Sequence, residues 1–383
     1  MADGRAKLVI DLGNSETRVM TIYGRTWEGL PRYILSSLSN HFGPLEPNYQ
    51  IADEYDESNT KIFKMFGGSI CTGELCNREF VNSDDFRPSA VEKKYNSDVT
   101  DMTLRVALLQ GYMDIAAMED IPLEDVDVDW DIVTMLPPSD IAKGAEKMAE
   151  KIKGIKEIEF SMPVFKTKVN IVNVRIYPEG FCAYIGILFD MNRKLRSEYK
   201  HLRKETAIIF DIGAGTTDIS IIEEGKLVQA TRFTMQIGGN NVHQRVRSML
   251  LADGLELPDD IVKDAVERGW IKDGSKKVSI TTQIGEAKNQ VSRTIVSNVR
   301  NFFEATQYPI KKIEQMIVCG GGAVDSDIAG IHPLSEYLIQ YMKKLSENIS
   351  LVDLPKIEKD GEMEVLSPRV LNIYGAGVLA LGD

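Results

Sequence analysis

Residues 207–225 read AIIFDIGAGTTDISIIEEG: an apolar run ends in Asp211, then come a glycine-rich turn, hydroxyls, a second aspartate and a second apolar run. Residues 7–24, KLVIDLGNSETRVMTIYG, nearly repeat it. Each stretch predicts two strands around a turn. An aspartate at the end of a buried strand is costly unless it is paired or bound to a metal. Aligning Asp11 with Asp211 sets Gly13 on Gly213 and Thr17 on Thr217. One such turn is common in proteins. Two, each opening a half of similar size, predict a duplicated α/β fold of two lobes.

The whole chain bounds the reading. Its 383 residues give room for two or three domain-sized units. A net charge of −12 argues against direct binding of nucleic acid, which calls for basic surface. No apolar run has membrane-spanning length, and the opening MADGRAK lacks a signal peptide's apolar region, so a cytoplasmic protein without membrane contact is expected. Cys71, Cys76, Cys182 and Cys319 form no zinc-type pair of pairs. They read as structural thiols of a reduced protein.

The expected domains are lobe I over 1–200 plus 368–383 and lobe II over 201–367. Lobe I carries an insertion at about 31–99, polar and turn-rich, with its own small sheet around 61–71. Lobe II carries one at about 238–283, helical and polar over 253–280. Helices are expected over 101–118, 141–153 (capped by Ser139 or Asp140), 284–304 and 333–346. Another follows the glycine turn at 238, with Val242, Val246, Met249 and Leu250 on one face.

A strand that turns sharply on Gly and Ser or Thr aims backbone N–H groups at one spot, which suits phosphate oxygens. Two such turns facing each other across a cleft would grip the β- and γ-phosphates of a nucleotide. Phosphates bring Mg²⁺, a hard cation that keeps several waters and prefers carboxylate oxygen. Asp11 and Asp211 stand where those carboxylates are wanted. Other nucleotide folds fit less well. There is no G-x-x-x-x-G-K-[ST]. GAGTTD lacks the third glycine of a dinucleotide fingerprint and leads into a strand. Gly320–Gly322 follow an apolar strand and read either as a hinge or as bare backbone on which a nucleoside rests. The Pro178-Glu179-Gly180 turn reads either as an exposed loop or as a carboxylate that orients water for in-line attack on a γ-phosphate.

Five stretches together resemble the motif set of the actin, sugar kinase and heat-shock chaperone ATPase superfamily. They are VIDLGNSETR, YPEGFCAYIG, IIFDIGAGTTDIS, MIVCGGGAVDSD and LNIYGAGVLALG, in the superfamily's order and over nearly the whole chain. Length and the DLGNSETR and PEG details are most similar to ParM-type bacterial actin-like proteins of plasmid segregation. The resemblance implies a two-lobed actin-like fold with the nucleotide in the cleft, binding ATP (with GTP as the alternative) and Mg²⁺. It implies that Asp11 and Asp211 approach the metal through water. Gly13, Asn14, Ser15, Gly213, Gly215 and Thr216 would wrap the phosphates, Glu179 would polarise the attacking water, and Gly320, Gly321 and Gly322 would bear on the nucleoside. Arg18 stands where many relatives have lysine, a planar fork in place of a point charge. Asn240, Glu286 and Lys288 are candidates for base and ribose contacts.

The implied function is a filament-forming ATPase: the chain polymerises with itself and reaches DNA through a basic DNA-binding adaptor protein. A small-molecule or sugar kinase is the alternative, but it needs a base for its acceptor hydroxyl, and no second aspartate motif supplies one. A chaperone ATPase would carry a substrate-binding domain after the last helix.

Overall fold

Both repeats fold as antiparallel hairpins, because each is a pair of apolar runs joined by residues that favour a turn. The computed structural model describes residues 5–13, 16–26, 29–45, 60–79, 93–274, 276–323, 331–359 and 362–382. The chain divides into two units, Met1–Lys194 with Ile373–Asp383, and Leu195–Asn372.

In the first unit the hairpin is β1 (Arg5–Leu12) and β2 (Glu16–Arg25), followed by β3 (Pro31–Ser39). A separate sheet begins with β4 (Phe42–Leu45), β5 (Thr60–Met65) and β6 (Gly68–Gly73), and the short helix α1 (Glu74–Glu79) follows. Next come helix α2 (Asp98–Glu119), β7 (Asp129–Leu136), helix α3 (Ile141–Lys153), β8 (Glu157–Met162), β9 (Val164–Lys168), β10 (Asn170–Pro178) and helix α4 (Glu179–Leu188). The main sheet runs β10-β7-β1-β2-β3, with β1, β7 and β10 parallel. Parallel strands are covered on both faces, which is why β1 and β7 read as unbroken apolar runs.

Two features differ from expectation. Residues 31–39 belong to this main sheet as its edge strand, so the separate sheet begins only at Phe42. Half-exposed on that edge, β3 carries serines and opens on a proline, a composition that imitates a loop. The separate sheet, order β4-β6-β5-β8-β9, is completed by residues 157–168, well beyond the expected insertion. Its small core holds Leu45, Ile62, Cys71, Leu75 and Cys76. Residues 46–59 and 80–92 of that insertion lie outside the described residues. Asp140 stands at the N-terminus of α3 without a side-chain capping bond; its carboxylate accepts instead from Lys93 Nζ at 2.7 Å.

The second unit repeats the plan with β11 (Thr206–Ile212), β12 (Thr217–Glu223), β13 (Lys226–Leu227) and β14 (Phe233–Met235). Helices α5 (Asn240–Ala252) and α6 (Asp259–Arg268) follow. The segment 253–280, expected to be helical, is so over α6 and then closes as a hairpin, β15 (Trp270–Asp273) and β16 (Lys276–Ser279). Helix α7 (Thr281–Thr306) leads to β17 (Gln315–Cys319), helix α8 (Leu334–Met342), β18 (Ser350–Leu351), and the hairpin β19 (Lys356–Lys359) and β20 (Glu362–Val365). The last helix, α9 (Leu371–Ala380), contains the division between the units. The sheet runs β13-β12-β11-β17-β18. Its core takes Val242, Val246 and Leu250 from α5 and Val291, Ile295 and Val299 from α7, the faces their spacing predicts.

Candidate functional site

The two hairpins share one register. The six pairings from Lys7↔Ile22 to Leu12↔Thr17 recur in the second unit from Ala207↔Ile222 to Ile212↔Thr217. Each hairpin thus sets a buried aspartate one pairing before a buried threonine: Asp11 is 9% exposed and Asp211 7%, and both threonines are fully buried. What faces the aspartate differs. Arg18 lies opposite Asp11, whereas Asp218 lies opposite Asp211.

In the first unit, Arg18 NH1 stands 4.0 Å from Asp11 Oδ2, and its other nitrogen bonds the Glu16 carboxylate. Glu179 is not on a loop. It is the first residue of α4, buried to 7% exposure, with Pro178 at the N-cap. That removes the reading of an exposed turn glutamate and gives the carboxylate the favourable end of a helix dipole. Lys94 Nζ holds its Oε1 at 2.7 Å. Burial first, and Glu179 next, push the Asp11 carboxyl up from 3.8 to about 6, against the pull of Lys94 and Arg18. Asn40 Nδ2 donates to the Gly13 carbonyl, steadying the turn. The Thr17 hydroxyl is buried with no partner among the described residues. Asn14 and Ser15 lie outside the described residues.

In the second unit the turn closes by Gly213 N–H donating to the Thr216 carbonyl at 2.8 Å. Backbone packs on backbone around it. Gly239 N–H donates to the Gly213 carbonyl at 2.9 Å, and Asn240 N–H to the Ala214 carbonyl at 2.8 Å. A Cβ at Gly238 would stand 2.6 Å from the Gly213 carbonyl oxygen, so only glycine permits the approach. Gly320 and Gly322 face the same loop: a Cβ at 322 would lie 2.5 Å from the Gly213 carbonyl oxygen. Gly321 alone looks outward, with Arg369 Nε 3.9 Å from where its Cβ would be. Of the triple glycine, then, two serve internal packing and one borders open space. Asp211 Oδ2 accepts from Asn372 Nδ2 at 2.6 Å. Asp218 accepts from the Thr234 hydroxyl at 2.5 Å. Among the other candidates, Glu286 accepts from Gln290 one helical turn on, and Lys288 is buried at 7% exposure.

Sequence reasoning missed Lys94, Asn40, Asn372 and Arg369. Each acts through a contact distant in the chain; Asn40, Lys94 and Arg369 sit in no recognisable motif, and Asn372, though inside LNIYGAGVLALG, gives no local sign of its partner Asp211. Among the described residues no group of three or more His, Cys, Asp or Glu side chains is arranged to hold a metal by itself, and all four cysteines are buried. No described helix is long and apolar enough to cross a membrane.

Residues 209–327 match the family model described as archaeal actin homologue MreB-like, C-terminal. No curated protein matches the chain. Solved structures match along its full length. The actin-like protein Alp7A is 15% identical, with 98% of this chain and 96% of that one covered and a TM-score of 0.70. The archaeal actin homologue Ta0583 in complex with ADP is 13% identical, covering 99% of this chain and 100% of that one at a TM-score of 0.63. A 15-stranded ParM filament from Clostridium botulinum is 16% identical, with 99% and 100% covered and a TM-score of 0.61. At such identities the likeness is one of fold. The fold is the actin-like one that the five motifs lead one to expect, and ParM-type proteins are among those it resembles.

Proposed function

We propose that this actin-like chain is a filament-forming ATPase that binds ATP with Mg²⁺. The observation that carries the reading is the shared register of the two hairpins, which sets a buried aspartate beside a glycine turn in both units. The residues fit the ligand. Around Asp11 three carboxylates (Asp11, Glu16, Glu179) meet two cations (Arg18, Lys94), and the Asp11 proton affinity is raised. A net negative cluster of this kind, with Asp11 and Glu179 buried in it, favours a hard, hydrated cation. The Thr17 hydroxyl, buried and without a hydrogen-bond partner among the described residues, supports a polar ligand there.

In this reading Asp11 and Asp211 hold the metal through water. Gly13, Asn14, Ser15 and Arg18 bind phosphate from the first unit, and Gly213, Gly215 and Thr216 from the second. Of Gly320, Gly321 and Gly322, expected together at the nucleoside, Gly321 faces it, while Gly320 and Gly322 pack the turn that presents it. When bound, Mg²⁺ supplies charge neutralisation on the phosphoryl oxygens. Glu179 orients the attacking water, and its buried place at the start of a helix limits its rotamers. The ADP complex of Ta0583 supports an adenine nucleotide, and the ParM filament supports self-assembly. The filament contacts lie in the segments about 31–99 and 238–283, outside the residues there that brace the site, Asn40, 93–95 and 238–240. Attachment to DNA runs through a basic adaptor protein in the cytoplasm, because a chain of net charge −12 gains little from phosphate directly.

Sedimentation and electron microscopy with ATP and Mg²⁺ test this, with phosphate release followed in parallel. The expected result is polymer that forms with ATP and disassembles after hydrolysis. A chain that stays monomeric at high concentration and phosphorylates a sugar or other small acceptor would replace the reading with a kinase.

A further inference from the structure

Residues 93–95 form a short bracket in which three successive side chains are each committed. Lys93 Nζ bonds Asp140 Oδ1 at 2.7 Å. The Tyr95 ring fills the space that a side chain at Gly144 would need, and the Lys147 ammonium lies 5.6 Å from its centroid. Asp140 and Gly144 belong to the start of α3, so both flanking residues are pinned to one helix end. Between them Lys94 reaches the first residue of α4, its Nζ 2.7 Å from Glu179 Oε1, with the two side chains 21% and 9% exposed. A lysine ammonium is a point charge on a flexible stem, and it places a partner only if its own backbone is fixed. Lys93 and Tyr95 fix it.

The pairing answers a physical problem. Glu179 stands near enough to Asp11 to help push its carboxyl up, so the two negative groups repel. An unheld Glu179 would be driven to turn away from Asp11. Lys94 takes one oxygen of the carboxylate, holds a single rotamer and leaves the second oxygen for a water molecule.

We propose that Lys94 is the positioning residue for Glu179. The inference rests on the ATPase reading above. It gives Lys94 no contact with the reacting atoms: its part is to keep the Glu179 carboxylate aimed.

The test compares wild type, Lys94→Met, Lys94→Arg, Glu179→Gln and the double variant Lys94→Met/Glu179→Gln. Single-turnover hydrolysis of Mg–ATP, Mg–ATP affinity and the thermal midpoint of the nucleotide-free chain are measured on each. Lys94→Met should slow turnover by roughly 10- to 100-fold, the scale of a misplaced catalytic group, while affinity changes far less. Lys94→Arg should restore most of the rate. In the Glu179→Gln background Lys94→Met should slow turnover no further. The midpoint of the nucleotide-free chain should fall by roughly 2–4 °C with Lys94→Met, and not in the Glu179→Gln background. If Glu179→Gln is slow while Lys94→Met keeps the native rate, Lys94 does not position it. The same follows if Lys94→Met is equally damaging with Gln at 179. If Glu179→Gln itself hydrolyses at the native rate, the ATPase assignment of Glu179 fails first.

Discussion

Gly320 leaves room for Asp211: a Cβ at position 320 would stand 2.6 Å from Asp211 Oδ1. Gly320 also holds φ at +93°, a conformation that side chains rarely adopt. Gly320→Ala should therefore cost roughly 1–3 kcal/mol from the backbone alone, and should displace the aspartate and weaken Mg–ATP binding. Gly321→Ala, whose Cβ would meet nothing among the described residues nearer than Arg369 Nε at 3.9 Å, should be far milder. Urea unfolding and nucleotide titration on the pair check this. Equal losses at 320 and 321 would show that the Asp211 contact does not matter.

Glu179→Ala should reduce ATP hydrolysis by roughly 100-fold or more, the usual scale for a positioned acid–base group. Binding should largely survive, so polymer should form and persist. Phosphate release measured beside light scattering separates the two effects. Native turnover with normal assembly would remove Glu179 from the chemistry.

The Asp11 carboxyl, pushed up to about 6 chiefly by burial, binds its proton more tightly in the folded chain than in the unfolded one. Its contribution to stability is complete below about pH 4 and is lost as pH rises through about 6. The nucleotide-free protein should lose up to about 3 kcal/mol across that window through this residue. Asp11→Asn should flatten that part of the profile and be more stable than wild type at pH 7, while binding Mg–ATP less well. Denaturant unfolding of both proteins from pH 4 to 8 gives the difference directly; parallel profiles would refute it.

Subunits of net charge −12 repel one another. Modest salt should therefore promote assembly by screening, since the Debye length falls to about 8 Å at 0.15 M. The pelleted fraction at rising salt and fixed ATP measures it. A steady fall from the lowest salt upward would mean that attractive ion pairs dominate the contact.

Much of this was legible in the sequence. The hairpins at 5–25 and 206–223 declare themselves because strand, turn and strand are adjacent and their apolar residues are continuous. The place of Glu179 was readable from a proline that ends a strand, though not that it opens a helix. What escaped depends on partners far along the chain. The pairing of β5 with β8 joins residues nearly a hundred positions apart, and no local pattern announces it. Asp140 looks like a helix cap until Lys93 claims its carboxylate. Asn372 looks like one more polar residue in a helix until its amide meets Asp211. Hairpin β15–β16 was readable in principle: Asp273-Gly274 between short runs is a turn signal, outweighed here by the polar, helix-like residues before it.

The first unit draws its last helical segment from the end of the chain. Ile373, Ala376 and Ala380 of α9 are fully buried, and Arg175 NH2 in β10 donates to the Ala380 carbonyl at 3.2 Å. On a ribosome, units normally fold in the order in which they emerge. Here the earlier-made unit waits for α9, which leaves the exit tunnel only after the whole second unit has been translated. The half made first is finished last, and a nascent chain that has emerged only as far as residue 372 would hold a complete second unit and a still open first one.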